Sequence, residues 1–208
     1  FASDEVCPPS KNPVAIFMAG SPGAGKTEFS KNYLSISGKK AVRIDADEVR
    51  QLIPGYTGKN SDEVQGASAL GVEKLFDYAL KRNKDLILDA TFVDEKKSIQ
   101  NIERCLKKGR RVILYYIYQD PLVAWEFTKA REMQEGRRVP KATFVRSFFR
   151  ARENVKKAKD TFKDQITVSV IIKNYQTNEL KILSDIRTED VDKYCLLKYS
   201  KQELMNQL

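Results

Sequence analysis

Three short stretches of this chain carry groups able to handle phosphate: Gly20-Ser21-Pro22-Gly23-Ala24-Gly25-Lys26-Thr27, Asp45-Ala46-Asp47-Glu48 and Asp89-Ala90-Thr91. The first fits G-x-x-x-x-G-K-[ST], a phosphate-binding loop (P-loop). In such a loop the glycines let backbone N–H groups turn inward onto phosphate oxygens. The helix that follows directs its positive end at the same anion. Lys26 supplies a point charge for the β- and γ-phosphates, and the Thr27 hydroxyl can ligate Mg²⁺. A nucleoside triphosphate site is therefore expected over residues 20–27. The motif alone does not separate a kinase from an ATPase or a GTP switch.

The acids need separate readings. Asp89 follows the apolar Leu86-Ile87-Leu88, as an acid orienting Mg²⁺ and its waters would. The rival role, capping the next helix, suits Asp94 better. Asp45 with Glu48 three residues on matches a capping box. Asp47 would then lie in the first helical turn at the mouth of the cleft. It is either a favourable charge at a helix N-terminus or the group that accepts a proton from a substrate hydroxyl, and spacing does not choose between them. The chain contains no histidine, so proton transfer must fall to a carboxylate, Lys, Tyr or Cys.

A third group is cationic. "TKAREMQEGRRVPK" places Arg131 six residues before Arg137, with Gly136 between. An arginine on the transferring phosphoryl group is worth ~10³–10⁵ in rate. A lid carrying such residues also excludes water, so that a hydroxyl substrate is attacked instead. Arg146, Arg150 and Arg152 further on read by default as a solvated helix face.

The elements around these groups follow from hydrophobic pattern. Val14-Ala15-Ile16-Phe17-Met18 is a continuous apolar run, the signature of a buried parallel strand. A helix to about Ser35 follows. "KKAVRIDADEVRQLI" gives a strand ending at Asp45 and a short helix; "SDEVQGASALGVEKLFDYALKRN" gives a long helix with Leu70, Leu75, Phe76, Ala79 and Leu80 on one side. Further strands are expected at "DLILDA" and "RVILYYIY", with a helix between them ending at Gly109 and another opening at Pro121. Pro140 interrupts the next helical stretch. "ITVSVIIKN" and "ELKILSDI", joined by "YQTN", suggest a final strand pair. Strands alternating with helices imply an α/β fold with a mostly parallel sheet flanked by helices, of the P-loop NTPase type, with a helical arginine-bearing lid over about 129–142. Ligands in such sheets sit beyond the strand C-terminal ends, where all three acid and glycine stretches fall. The expected organisation is an irregular lead-in over 1–12, a domain over 13–187 and a tail, helical in pattern, over 188–208.

Bulk properties narrow the partners. The 208 residues carry a net charge of +9, and residues 129–159 hold eleven Lys/Arg against three Asp/Glu, a local +8. That concentration implies an anionic partner beside this stretch, unless it is a solvated face. No apolar run approaches the ~20 residues of a membrane span, and no signal-peptide pattern is present. Three scattered cysteines, Cys7, Cys105 and Cys195, suit a reducing compartment, so a cytoplasmic location without membrane association is expected. The first residue is Phe1 and not Met, consistent with removal of an upstream segment.

"GSPGAGKT", "IDADEVR", "LILDAT" and "REMQEGRRVPKATF", in this order and spacing, resemble the zeta toxin family of P-loop kinases over about residues 13–160. The resemblance implies phosphorylation of the 3′-hydroxyl of UDP-N-acetylglucosamine with ATP and Mg²⁺, and restraint by an antitoxin protein. It implies nucleotide and metal contacts for Lys26 and Thr27, the catalytic-base position for Asp47, and the two lid-arginine positions for Arg131 and Arg137, where spacing to Pro140 favours Arg137 over Arg138. Glu73 takes a substrate-contacting acid position. Asp89 and Thr91 match the family's E-G-T at a strand end, with Asp one methylene shorter than the usual Glu. Two other readings stay open: a kinase of another small molecule or a nucleic-acid end, and a nucleotide-gated interaction module. The basic stretch lacks the interleaved aromatics of a base-stacking surface, so nucleic acid is not the expected partner.

Overall fold

A computed structural model describes residues 2–175 and 179–208. Its centre is β1 (Val14–Ala19), whose side chains alternate strictly between two cores. Ala15, Phe17 and Ala19 enter the larger one, and Ile16 and Met18 the smaller. This double burial is why the strand is apolar throughout.

The phosphate loop leads into α1 (Lys26–Ser37), whose Phe29 and Tyr33 cover the smaller core beside Tyr115 at ring distances of 5.1 and 6.0 Å. β2 (Val42–Asp45), α2 (Ala46–Gln51), α3 (Gln65–Lys81), β3 (Leu86–Asp89), α4 (Glu95–Lys107) and β4 (Arg111–Tyr118) follow. Then come α5 (Pro121–Glu135), α6 (Lys141–Phe162), β5 (Ile166–Asn174) and β6 (Glu179–Leu183), and finally α7 (Thr188–Tyr194) and α8 (Lys201–Gln207). The sheet order is β2-β3-β1-β4-β5-β6, parallel except for the antiparallel edge strand β6. The C-terminal ends of β1, β2 and β3 therefore form one rim, which carries the glycine loop, Asp45 and Asp89 side by side.

Local sequence dictates most boundaries. Asp94 caps α4 by accepting from Lys97 N at 3.0 Å, and Asp120 caps α5 by accepting from Leu122 N at 3.0 Å. Pro140 sits at the N-cap of α6 and separates it from α5. α3 starts at Gln65, later than its sequence pattern suggests, because residues 61–64 form turns. Phe76, Ala79 and Leu80 are buried as expected, but Leu70 is 60% exposed: the inward stripe of α3 is narrower than the apolar residues it carries. α3 closes tightly on α2. Gly71 allows this, since a Cβ there would stand 2.7 Å from Val49 Cγ1. The expected turn at "YQTN" falls largely on residues 176–178, outside the described residues.

Both ends of the chain pack into the body. Lys84 is wholly buried and donates to Asp4 at 2.5 Å and to the Cys7 carbonyl, which fastens the lead-in. Val191, Cys195 and Leu204 of the tail belong to the larger core. Arg152 does not lie on a solvated face. It is buried and donates to the Cys195 carbonyl at 3.2 and 3.3 Å, because α7 folds back over α6. Arg146 and Arg150 are exposed, as expected. Among the described residues no helix is long and apolar enough to cross a membrane.

Candidate active site

Gly20, Ser21, Pro22, Gly23, Ala24, Gly25, Lys26 and Thr27 wrap from β1 into α1. Gly23 and Gly25 hold φ of 70° and 90°, the left-handed region that side chains oppose. α1 has no side-chain cap, so its first-turn N–H groups are left for a ligand. Lys26 Nζ donates to the carbonyls of Gly20 at 3.0 Å and Ser21 at 2.7 Å. Burial lowers its pKa to about 8; Asp89 opposes that shift and Arg131 adds to it. Lys26 is thus charged mainly below about pH 8, whereas a bound phosphate favours the ammonium. Triphosphate affinity, titrated with ATP, is expected to fall as pH rises through 8, by up to about tenfold per unit. Stability should move the other way. The unfolded chain keeps this lysine protonated up to its ordinary 10.5, so between about 8 and 10.5 the unfolded state binds the extra proton and this group's contribution to folding improves. Equal affinities at pH 7 and pH 9 would overturn the assignment.

Below the loop lies a buried ionic cluster. Register pairs Asp45 with Asp89 on adjacent strands, and two carboxylates so placed repel. Arg43, two residues before Asp45 and so on the same strand face, inserts its Nη1 between them, 3.0 Å from Asp45 Oδ2 and 2.7 Å from Asp89 Oδ2, while Nη2 reaches Glu48. The Ser30 hydroxyl lies 2.9 Å from Asp89 Oδ2 and 3.0 Å from the Thr27 carbonyl. Burial, and next the Asp45 charge, push the Asp89 pKa up; Lys26, Ser30 and Arg43 draw it down. Asp45 does cap α2, accepting from Asp47 N at 2.8 Å. The reciprocal half of the expected capping box is absent, because Glu48 turns to Arg43.

Asp47, in the first turn of α2, meets three guanidinium groups. Oδ1 accepts from Arg50 Nη1 and Arg137 Nη1, and Oδ2 lies 3.3 Å from Arg131 Nη2. Arg131 also binds Glu135 through Nε at 3.0 Å. Of the adjacent Arg137 and Arg138, Arg137 is the one that pairs with Asp47. Beside this cluster a cavity of about 210 Å³ opens between α3, α4 and the end of β3. Apolar Phe17, Met18, Val72, Phe76 and Leu88 line it, with Gln65, Ser68, Thr91 and Glu73 among its polar members.

A family model described as Zeta toxin matches residues 1–186. The chain belongs to the zeta toxin family. Among solved structures, the PezAT chromosomal toxin–antitoxin system of the human pathogen Streptococcus pneumoniae is similar in fold, with a TM-score of 0.68 at 20% identity over 96% of this chain and 84% of that one. The AvrRxo1-ORF1:-ORF2 complex with ATP matches at 0.69 and 16%, over 91% of this chain and 66% of that one. A kinase-type protein from Chloroflexus aurantiacus matches at 0.51 and 17%, over 61% and 70%. Family membership makes the chain a P-loop kinase of the toxin type.

Within this zeta toxin fold the expected site residues divide into two groups. Lys26, Thr27, Asp89, Asp47, Arg131 and Arg137 lie at the rim of the sheet. Thr91 joins both regions: its carbonyl accepts from Gly20 N at 3.3 Å, and it lines the cavity. Glu73 lies at the cavity away from the loop, paired with Arg104 at 2.8 Å and Lys97 at 3.4 Å on α4. Sequence reading missed Arg43, Arg50 and Lys173. Lys173 Nζ stands 3.4 Å from the Gly25 carbonyl, carried there by β5 from 148 residues away, a placement no local pattern signals. Arg50 did leave a signal, three residues after Asp47 on the same short helix.

Proposed function

We propose that this zeta toxin family member is an ATP-dependent kinase that transfers the γ-phosphate to a hydroxyl of a nucleotide sugar, with the 3′-hydroxyl of UDP-N-acetylglucosamine as the leading acceptor. The observation that carries the reading is the joining of Asp47 to Arg131 and Arg137 beside the Lys26 loop. Asp47 takes the proton of the acceptor hydroxyl. The hydroxyl oxygen forms the new bond to the γ-phosphorus, and the bond from that phosphorus to the β–γ bridging oxygen breaks, releasing ADP. Lys26, Arg131 and Arg137 offset the charge on the moving group.

The donor set suits Mg²⁺ held mainly by substrate phosphates. Among the described residues no group of three or more acids, cysteines or histidines could hold a metal alone, and Mg²⁺ in phosphoryl-transfer sites ordinarily takes few protein ligands. Thr27 would offer a direct oxygen. Asp89, whose Oδ2 already accepts from Arg43 and Ser30, would orient metal-bound water. The metal would supply neutralisation of the β- and γ-oxygens. The similarity to the PezAT toxin–antitoxin system supports an antitoxin partner, and that to the ATP-bound AvrRxo1 complex supports ATP.

A nucleic-acid acceptor is less favoured. Of the +8 stretch, Arg131 and Arg137 face Asp47, while Arg152 and Lys159 are buried, which leaves a thinner basic surface than the sequence promised. The test incubates the protein with ATP, Mg²⁺ and a panel of nucleotide sugars and follows mass. A gain of one phosphate on UDP-N-acetylglucosamine is expected. Gain on a different sugar nucleotide alone would correct the substrate, and no ADP with any acceptor would leave a nucleotide-gated binding module.

A further inference from the structure

Arg50 is only 4% exposed, yet it carries a full charge and its Nε has no hydrogen-bond partner among the described residues. Its two terminal nitrogens point to different elements. Nη1 donates to Asp47 on its own helix α2, and Nη2 donates to Gln65 Oε1 at 2.5 Å, in the first turn of α3. We propose that Arg50 and Gln65 form a relay joining the acceptor cavity to Asp47, in which the Gln65 amide binds an oxygen of the acceptor next to its reacting hydroxyl and Arg50 holds the Asp47 carboxylate in place. The proposal rests on the kinase reading given above.

Three features of the geometry support it. First, the three arginines on Asp47 are not equivalent. Arg131 and Arg137 come from the lid, with side chains 44% and 31% exposed. A lid that follows a phosphoryl group must be able to leave Asp47. Arg50 belongs to the helix that carries Asp47 and remains with it. Second, the orientation of the Gln65 amide is set by chemistry. A guanidinium has only donors, so the amide must present its oxygen to Arg50, which leaves both amide N–H donors for other partners. Gln65 lines the cavity together with Ala46 and Ser68. A donor there selects an oxygen acceptor: a hydroxyl, ether or amide oxygen of a sugar. Third, the spacing between the two helices is fixed. Ser68, fully buried, donates to the Ala46 carbonyl at 3.1 Å, and Gly71 lets α3 close on Val49. The Arg50–Gln65 contact therefore joins two elements already held in register.

The experiment measures kcat and both KM values on ATP and UDP-N-acetylglucosamine for the parent, Gln65→Met and Arg50→Lys. Gln65→Met should raise the acceptor KM roughly 3- to 10-fold relative to the ATP KM, the usual consequence of losing one hydrogen bond. Arg50→Lys keeps the charge and loses the fork. It should lower kcat by roughly 10²-fold, as a misplaced reacting group does, with ATP affinity and thermal midpoint close to the parent's. Should Arg50→Lys fail to fold, Gln65→Met alone decides through the KM split. Parent-like constants in the folded variants, or equal rises in both KM values, would overturn the relay and leave the kinase reading standing. A parent protein that forms no ADP with any acceptor of the nucleotide-sugar panel overturns the kinase reading, and the relay with it.

Discussion

Asp47→Ala is expected to lose about 10²–10⁴ of kcat, the usual span for a positioned acid or base, while binding ATP more tightly than the parent. The first half follows from chemistry: the chain has no histidine, and Asp47 is the carboxylate that both lid arginines reach. The second half follows from competition. Arg131 and Arg137 cannot serve Asp47 and a γ-phosphate in full at once, so binding must divide them. Removing the carboxylate frees both cations and removes a like charge beside the phosphate. Two unit charges ~4 Å apart interact by about 1 kcal/mol even in bulk water, so a gain of roughly fivefold or more in affinity is expected. Asp47→Asn, which keeps the shape and discards the charge, should behave alike. Parent-level turnover in either variant would remove Asp47 from proton transfer, and unchanged affinity would show that the arginines do not have to be shared.

The readable part of this site was the part encoded locally. The glycine loop, its flanking strand and its helix are contiguous, and each residue type there has a backbone reason that needs no partner. Asp47 and Asp89 were legible as candidates because strand ends are where ligands sit in a parallel sheet. Their surroundings were not legible. Arg43 reads as an interruption of an apolar strand until register sets Asp45 beside Asp89 and gives a buried cation something to neutralise. Arg131 and Arg137 lie 84 and 90 residues from Asp47, and no periodicity reports that approach. Arg152 shows the converse error: a charge on a helix face is solvated only if nothing folds over it, and α7 does. Glu48 shows how a local rule loses to a stronger partner, since the capping-box geometry gave way to an ion pair with Arg43.

The lid arginines should carry unequal shares of the rate. Arg131 is shared with Glu135 one turn further along its own helix α5. Arg137 lies on the link between α5 and α6, just after Gly136 at φ 74°, and so reaches Asp47 from the more adjustable segment. Arg131 also has its charge close enough to Lys26 to lower the lysine's pKa, which sets it beside the phosphate cradle. Arg131→Ala is therefore expected to cost about 10³–10⁵ in kcat, the range for an arginine on the transferring phosphoryl group. Arg137→Ala should cost less. Arg131→Lys should recover only a small part, because an ammonium keeps the charge but cannot bridge two oxygens. The double variant should fall well short of the product of the single effects, since both residues act on one phosphate and one carboxylate. Single-turnover phosphoryl transfer, with ATP binding measured separately, distinguishes these outcomes. A loss for Arg131→Ala confined to KM for ATP would mean that this arginine binds the ground state and does not stabilise the transfer itself.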